Sequence, residues 1–196
     1  MDGKRITEVE LKAIDPTFVE SSFISKVDNI FIMLHSAVML GNLERIKHKL
    51  SNELIDRYQN LINNLNSNNT RQMYDELNVK STMITGMYET ANEYIIEVLL
   101  ISRYMDYLVR KDNNQFISGN NSYRIEKNNY LTFSKKKDAK VEGMTRKCPG
   151  CNANIDANNS GKCPYCGTFY DTVNYDWVLK DIRWEKIIRR EYYYYR

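Results

Sequence analysis

Two hydrophobic periods divide the chain. In residues 15–70 apolar positions recur at three- and four-residue steps: Phe23, Val27, Ile30, Phe31, Leu34 and Val38 form one face of a long helix. Asp15-Pro16-Thr17 reads as its capped entrance, Gly41 as its left-handed end and Asn42 as the cap of the next element. A short helix through Leu43, Ile46 and Leu50 comes next. Ser51 then caps a third helix, with Leu54, Ile55, Tyr58, Leu61, Ile62 and Leu65 on its buried side, and the asparagine-rich stretch 63–70 stops it. After residue 70 the period shortens. Stretches 77–85 and 93–109 are rich in β-branched and aromatic residues, and the second is long enough for a strand that bulges midway. Turn clusters at 111–114 and 119–122 bracket a short strand, 115–118; 123–134 reads as another, and 169–173 and 175–182 as returns to the sheet. Helices first and strands afterwards predict an α+β domain with an antiparallel sheet.

Composition adds little to this. The chain has 196 residues, is 42% hydrophobic and 27% charged, and carries a net charge of +3, so it is globular and no more than mildly basic. The opening residues 1–14 are polar and read as a loose arm. No apolar h-region follows Met1, and the apolar run 30–40 is too short for a bilayer, so a soluble, cytoplasmic protein is expected.

The chemistry lies in the cysteines. All 4 fall in two Cys-x-x-Cys pairs, Cys148/Cys151 and Cys163/Cys166. Thiolates at this spacing converge from a tight turn, and two facing turns make a closed tetrahedral sulfur cage. Gly167 suits a knuckle with positive φ, Pro149 and Pro164 pre-set the turns, and 158–161 supplies the hairpin turn between the pairs. In a reducing compartment the cluster reads as a structural zinc site, with iron as the alternative metal and disulfides as the non-metal one. Such a site folds protein; it does not catalyse.

Asp15-Pro16-x-Phe18 with Phe23, Leu50-Ser51-x-Glu53-Leu54, Met105-Asp106-Tyr107, the two cysteine pairs with Gly167, and Tyr175-Asp176-Trp177-Val178-Leu179 occur in an order that resembles the bacterial zinc-ribbon members of the TIM-forty-four-like family. These are relatives of the C-terminal domain of the mitochondrial import-motor anchor subunit. The resemblance covers residues 15–182, with a ribbon at 144–170 inserted before the final strand. It implies a cone-shaped, cystatin- or nuclear-transport-factor-two-like fold, with helices packed across a strongly curved antiparallel sheet. It also implies a non-enzymatic binding role at or near membranes, toward a protein partner or anionic lipid, in transport or membrane-protein assembly. Many bacterial members carry a hydrophobic anchor ahead of the domain; none is seen here, so membrane contact is expected to be peripheral, at the inner face.

Two surfaces are candidates for that contact. Segment 124–147 holds eight basic residues against three acidic ones, and Lys135, Lys136, Lys137, Lys140, Arg146 and Lys147 would attract anionic headgroups if they shared a face. The tail 183–196, with Trp184, Arg189, Arg190 and a run of tyrosines, suits a membrane interface or an added strand. A solvated loop and self-packing are the plainer readings of each. No stacking pattern favours nucleic acid, and a homodimer is compatible with the strand edges. The alternative function is a small-molecule-binding or enzymatic cone using the helix–sheet cavity, with His35 and one of Glu93, Glu97 or Asp106. Nothing in their spacing selects such a pair, and His48 is expected to be exposed.

Overall fold

The computed structural model describes residues 3–137, 145–148, 150–156, 162–168 and 176–186. Three helices pack on a strongly curled antiparallel sheet, an α+β half-barrel. The chain runs β1 (Lys4–Arg5), α1 (Glu8–Ile14), α2 (Glu20–Leu40), α3 (Asn52–Ser67), β2 (Thr70–Glu89), β3 (Glu93–Arg110), β4 (Phe116–Lys136), β5 (Thr145–Lys147), β6 (Asn154–Asp156) and β7 (Val178–Lys186). The main sheet has the order β1-β2-β3-β4-β7, and β5-β6 form a separate hairpin.

The N-terminal arm is structured, against expectation. Arg5 pairs with Tyr88 on β2, and Thr7 and Glu10 close a reciprocal capping box at the start of α1. Ile6 and Leu11 are buried in the core, and their burial holds the arm down. Asp15 consequently ends α1 instead of starting α2, which begins after Val19. The Asp15 carboxylate accepts from the Thr17 hydroxyl (2.6 Å) and from Lys135.

Helix α2 is the centre of the core. Phe23, Val27, Ile30, Phe31, Leu34 and Val38 are all buried, as the periodicity predicts, and Gly41 closes the helix at φ 67°. With 21 residues α2 is longer than the apolar run suggested, and by length and composition alone it could cross a membrane; its apolar face packs into the core. Opposite it lie Ile96, Val98 and Leu100 of β3 with Leu131 and Phe133 of β4, and Phe23 meets the Phe133 ring edge-on at 5.4 Å. Trp177, just before β7, packs edge-on against Phe23 and Phe18. Its neighbour Asp176 pairs with Lys26 (2.7 Å) and Lys49 (3.3 Å), tying α2 and the 43–50 connection to the start of β7.

That connection contains only a 3-10 turn, Lys47–Lys49, not the expected short helix. It buries His48 because Leu50 bridges to Leu179 on β7, pulling the turn against the sheet. Ser51 caps α3 through the Leu54 N–H (3.3 Å), and the asparagines of 63–66 continue the helix instead of ending it.

The sheet is longer than the residue types suggest. β2 occupies 70–89, well beyond 77–85, and slips register against β3 at three points, which helps curl the sheet. The anticipated turn at 119–122 lies inside a continuous β4: residues 121–124 stand opposite Met105 alone as a bulge. Gly119 (φ 100°) is required there, since a Cβ would lie 2.4 Å from the Asp106 carbonyl. β3 matches its expected span, but the bulge expected midway along it is absent: at each register shift the extra residues lie on β2 or β4, and β3 runs on as their regular partner. Of the tail 183–196, residues 183–186 continue β7; 187–196 and 169–173 lie outside the described residues.

Candidate metal centre and surrounding surfaces

Two knuckles of the same construction hold the cysteines. In the first, the Asn152 N–H donates to the Cys148 carbonyl (2.9 Å) and the Cys148 N–H to the Ala153 carbonyl (2.8 Å). In the second, the Gly167 N–H donates to the Cys163 carbonyl (3.0 Å) and the Cys163 N–H to the Thr168 carbonyl (2.9 Å). The residue after each second cysteine takes positive φ: Asn152 at 60°, Gly167 at 74°. Glycine does this freely and asparagine tolerates it, which is why only Gly167 stood out in the sequence.

The knuckles are pressed together. A Cβ on Gly150 would meet Thr168 Oγ1 at 2.3 Å, so only glycine fits between them. Cys148 and Cys163 are buried beside Ile155, while Cys151 and Cys166 face outward. All four thiols are free and their sulfurs lie within 4.8 Å of one another, with Cys148–Cys166 at 3.5 Å and Cys151–Cys163 at 3.7 Å. A tetrahedral ion with metal–sulfur bonds of about 2.3 Å needs sulfur–sulfur edges of about 3.8 Å, so the donor set fits a metal. The surroundings split the thiols: against a backbone hydrogen bond at Ala153, the other three cysteines push the Cys151 thiol up to about 12, while Cys163 and Cys166 are lowered. The Gly150 N–H donates to Cys148 Sγ (3.3 Å). The Thr168 hydroxyl, 3.2 Å away, and a backbone amide hold the Cys166 thiol down at about 6.

Among the described residues, the basic side chains of this segment divide between ion pairs and open surface. Lys135 is largely buried in its pair with Asp15 (2.5 Å), and Lys137 pairs with Glu89 (2.7 Å) beside the Tyr94 ring. Arg124 reaches Glu76 (3.4 Å). Lys136 and Lys147 are exposed. Lys140, Arg189, Arg190 and the Arg146 side chain lie outside the described residues. Trp184 is on β7, 57% exposed, with its ring 3.9 Å from the Lys127 ammonium.

Lys127 belongs to a polar cluster that the sequence reading missed. Alternation on β4 sends 127, 129, 131 and 133 to the core side, so Lys127 and Asn129 are buried with Leu131 and Phe133. Lys127 pairs with Asp106, which also accepts from Gln72 (2.7 Å); Asn129 donates to Ser102 (2.8 Å) and to the Leu100 carbonyl (2.9 Å). His35 sits next to this cluster but is held by rings: Phe31 at 4.2 Å, Tyr74 at 4.7 Å and Tyr104 at 5.4 Å. Its Nδ1 lies 2.9 Å from the Phe31 carbonyl, and burial lowers its pKa to about 4. The carboxylates considered with it are engaged elsewhere: Glu93 with Lys180 and Asp106 with Lys127, while Glu97 stands between Gly86 and Thr132.

A family model described as the Tim44-like domain matches residues 7–144, from the capping box of α1 through β4 to just short of the cysteines. A search of curated proteins returned no match.

Proposed function

The chain belongs to the Tim44-like domain family, and from that premise we propose that it is a non-catalytic binding module carrying a structural zinc. It associates with a protein partner in or beside a membrane, in the service of transport or membrane-protein assembly, from the cytoplasmic side.

The observation that carries this reading is the filled interior. Phe31, Leu34, Tyr104 and Phe133, each 0–2% exposed, occupy the space between α2 and the sheet. His35 is packed among aromatic rings rather than set against a carboxylate. A small-molecule or catalytic cone would need that space open, so recognition falls to the outer surface. There the ribbon presents Tyr165 (72% exposed) and Lys147, and the sheet presents Lys136 and Trp184. Cys148, Cys151, Cys163 and Cys166 would hold the ion. Four soft ligands with no position left for water suit zinc in a structural role.

Flotation with anionic vesicles tests the membrane half of the proposal. Association that weakens with salt, and falls further in a Lys136→Glu/Lys147→Glu variant, is the expected result. No association at any salt would remove lipid from the proposal and leave a soluble protein partner.

A further inference from the structure

The end of α2, the last turns of α3 and the start of β2 enclose a groove of about 340 Å³. Its floor is apolar, with Val38 and Ile62 fully buried and Leu65 beside them, and Leu40, 75% exposed, stands at the lip. Its rim carries two cations, Arg71 and Lys111. Both are held by neutral amides: Arg71 by the Asn114 side-chain oxygen and Lys111 by that of Asn66. Among the described residues no carboxylate lies within ion-pair distance of either. The Nε of Arg71 is buried and has no acceptor.

Two cations held only by neutral amides among the described residues, over an apolar floor, call for an occupant with one anionic and one apolar end. Arg71 offers a planar fork that matches a carboxylate. The volume is near the bottom of the usual range for ligand pockets, about 300–1,000 Å³, which suits the end of a chain more than a whole ligand. Met39, which also lines the groove, accepts from the Tyr74 N–H of β2 through its sulfur (3.2 Å), a weak acceptor.

We propose that this groove captures the C-terminal carboxylate of a partner polypeptide that ends in an apolar residue. The last side chain enters between Val38, Ile62 and Leu65, and the carboxylate is taken by Arg71 and Lys111. This deepens the protein-binding half of the function proposed above and is independent of the ribbon and of any vesicle contact.

The test uses the full chain and fluorescein-labelled decapeptides, randomised ahead of a final Leu, Val or Phe and made both as free acids and as C-terminal amides, read by fluorescence anisotropy. Saturable binding of the acids is expected, with the amides weaker by about tenfold or more. Arg71→Gln and Lys111→Gln should each weaken the acids by a similar factor, with melting temperatures close to wild type. Lys80→Gln, far from the groove, should leave binding unchanged. Lys111 lies in the exposed β3–β4 turn, so its variant carries the test if Arg71→Gln fails to fold. Equal binding of acid and amide, or no binding of either up to about 1 mM, overturns the proposal. So does binding of decanoate where the peptides fail, which would make the groove an acyl site. Vesicle flotation that persists while the peptides fail leaves the module reading standing and removes this one alone.

Discussion

The ammonium of Lys127 lies 3.9 Å from the centre of the Trp184 ring, which covers a side chain only 3% exposed. On its other side the ammonium faces the Tyr104 ring at 4.8 Å, and it pairs with Asp106. Trp184 therefore has a structural task, covering a buried charge, whatever else its exposed edge contacts. Trp184→Ala should lower stability by about 1–2 kcal/mol, the size of a partly desolvated cation–π contact, and Trp184→Phe by less. Lys127→Ala should cost about 3 kcal/mol, because it strands Asp106. Chemical denaturation reads both, and unchanged midpoints would show that the stack contributes nothing.

His35 sets a pH dependence whose sign comes from its environment. Burial lowers its pKa to about 4; nearby Lys127 pushes the same way, while the Phe31 carbonyl and Asp106 oppose them. The unfolded chain binds this proton near pH 6.5 and the native state only near 4. Stability is therefore fully present above about pH 6.5 and declines toward pH 4, by up to about 3 kcal/mol. Lower still, Asp15 and Asp176, whose carboxyls are held below their ordinary values by Lys135 and by Lys26 and Lys49 against the effect of burial, begin to lose their pairs. His35→Gln should flatten the upper part of this curve, measured as unfolding free energy from pH 7 to 4. An unaltered slope would mean that another group titrates there.

Lys135 and Lys136 are adjacent in sequence and differ in surroundings: Lys135 is largely buried beside Asp15, and Lys136 is exposed. Lys135→Ala leaves the largely buried Asp15 carboxylate without its partner and should lower stability by about 3 kcal/mol, with little effect on vesicle association. Lys136→Ala should do the reverse, staying within about 0.5 kcal/mol of wild type. Paired melting and flotation experiments separate the two. Similar behaviour of both variants would show that the segment acts as one solvated charge cluster.

The contrast between these lysines explains what the sequence could disclose. Periodicity placed the core face of α2 and the span of β3, and the Cys-x-x-Cys spacing placed the sulfur cage, because each of these signals is local. Lys135 is neutralised by Asp15, 120 residues earlier, and Lys127 is turned inward by the register of β4; a count of charges along 124–147 registers neither. The N-terminal arm carries more signal than its polarity suggests. Thr7-x-x-Glu10 is a capping box, and Ile6 with Leu11 gives the arm enough apolar surface to dock. The bulge at 121–124 reads as a turn because its residues are turn formers, and only pairing with β3 shows that the strand continues.

The metal site is open to direct measurement. Its small core of Cys148, Ile155 and Cys163 is separate from the main one around α2, so loss of the ion should unfold the ribbon and leave the half-barrel melting near its original temperature. Native mass spectrometry with elemental analysis, on full-length protein purified under reducing conditions, decides the matter. The expected result is one zinc ion per chain, four thiols unreactive until a chelator is added, and loss of the ion in Cys151→Ser. Folded protein that carries no metal with all four thiols reactive, or that carries stoichiometric iron instead, would contradict a structural zinc site.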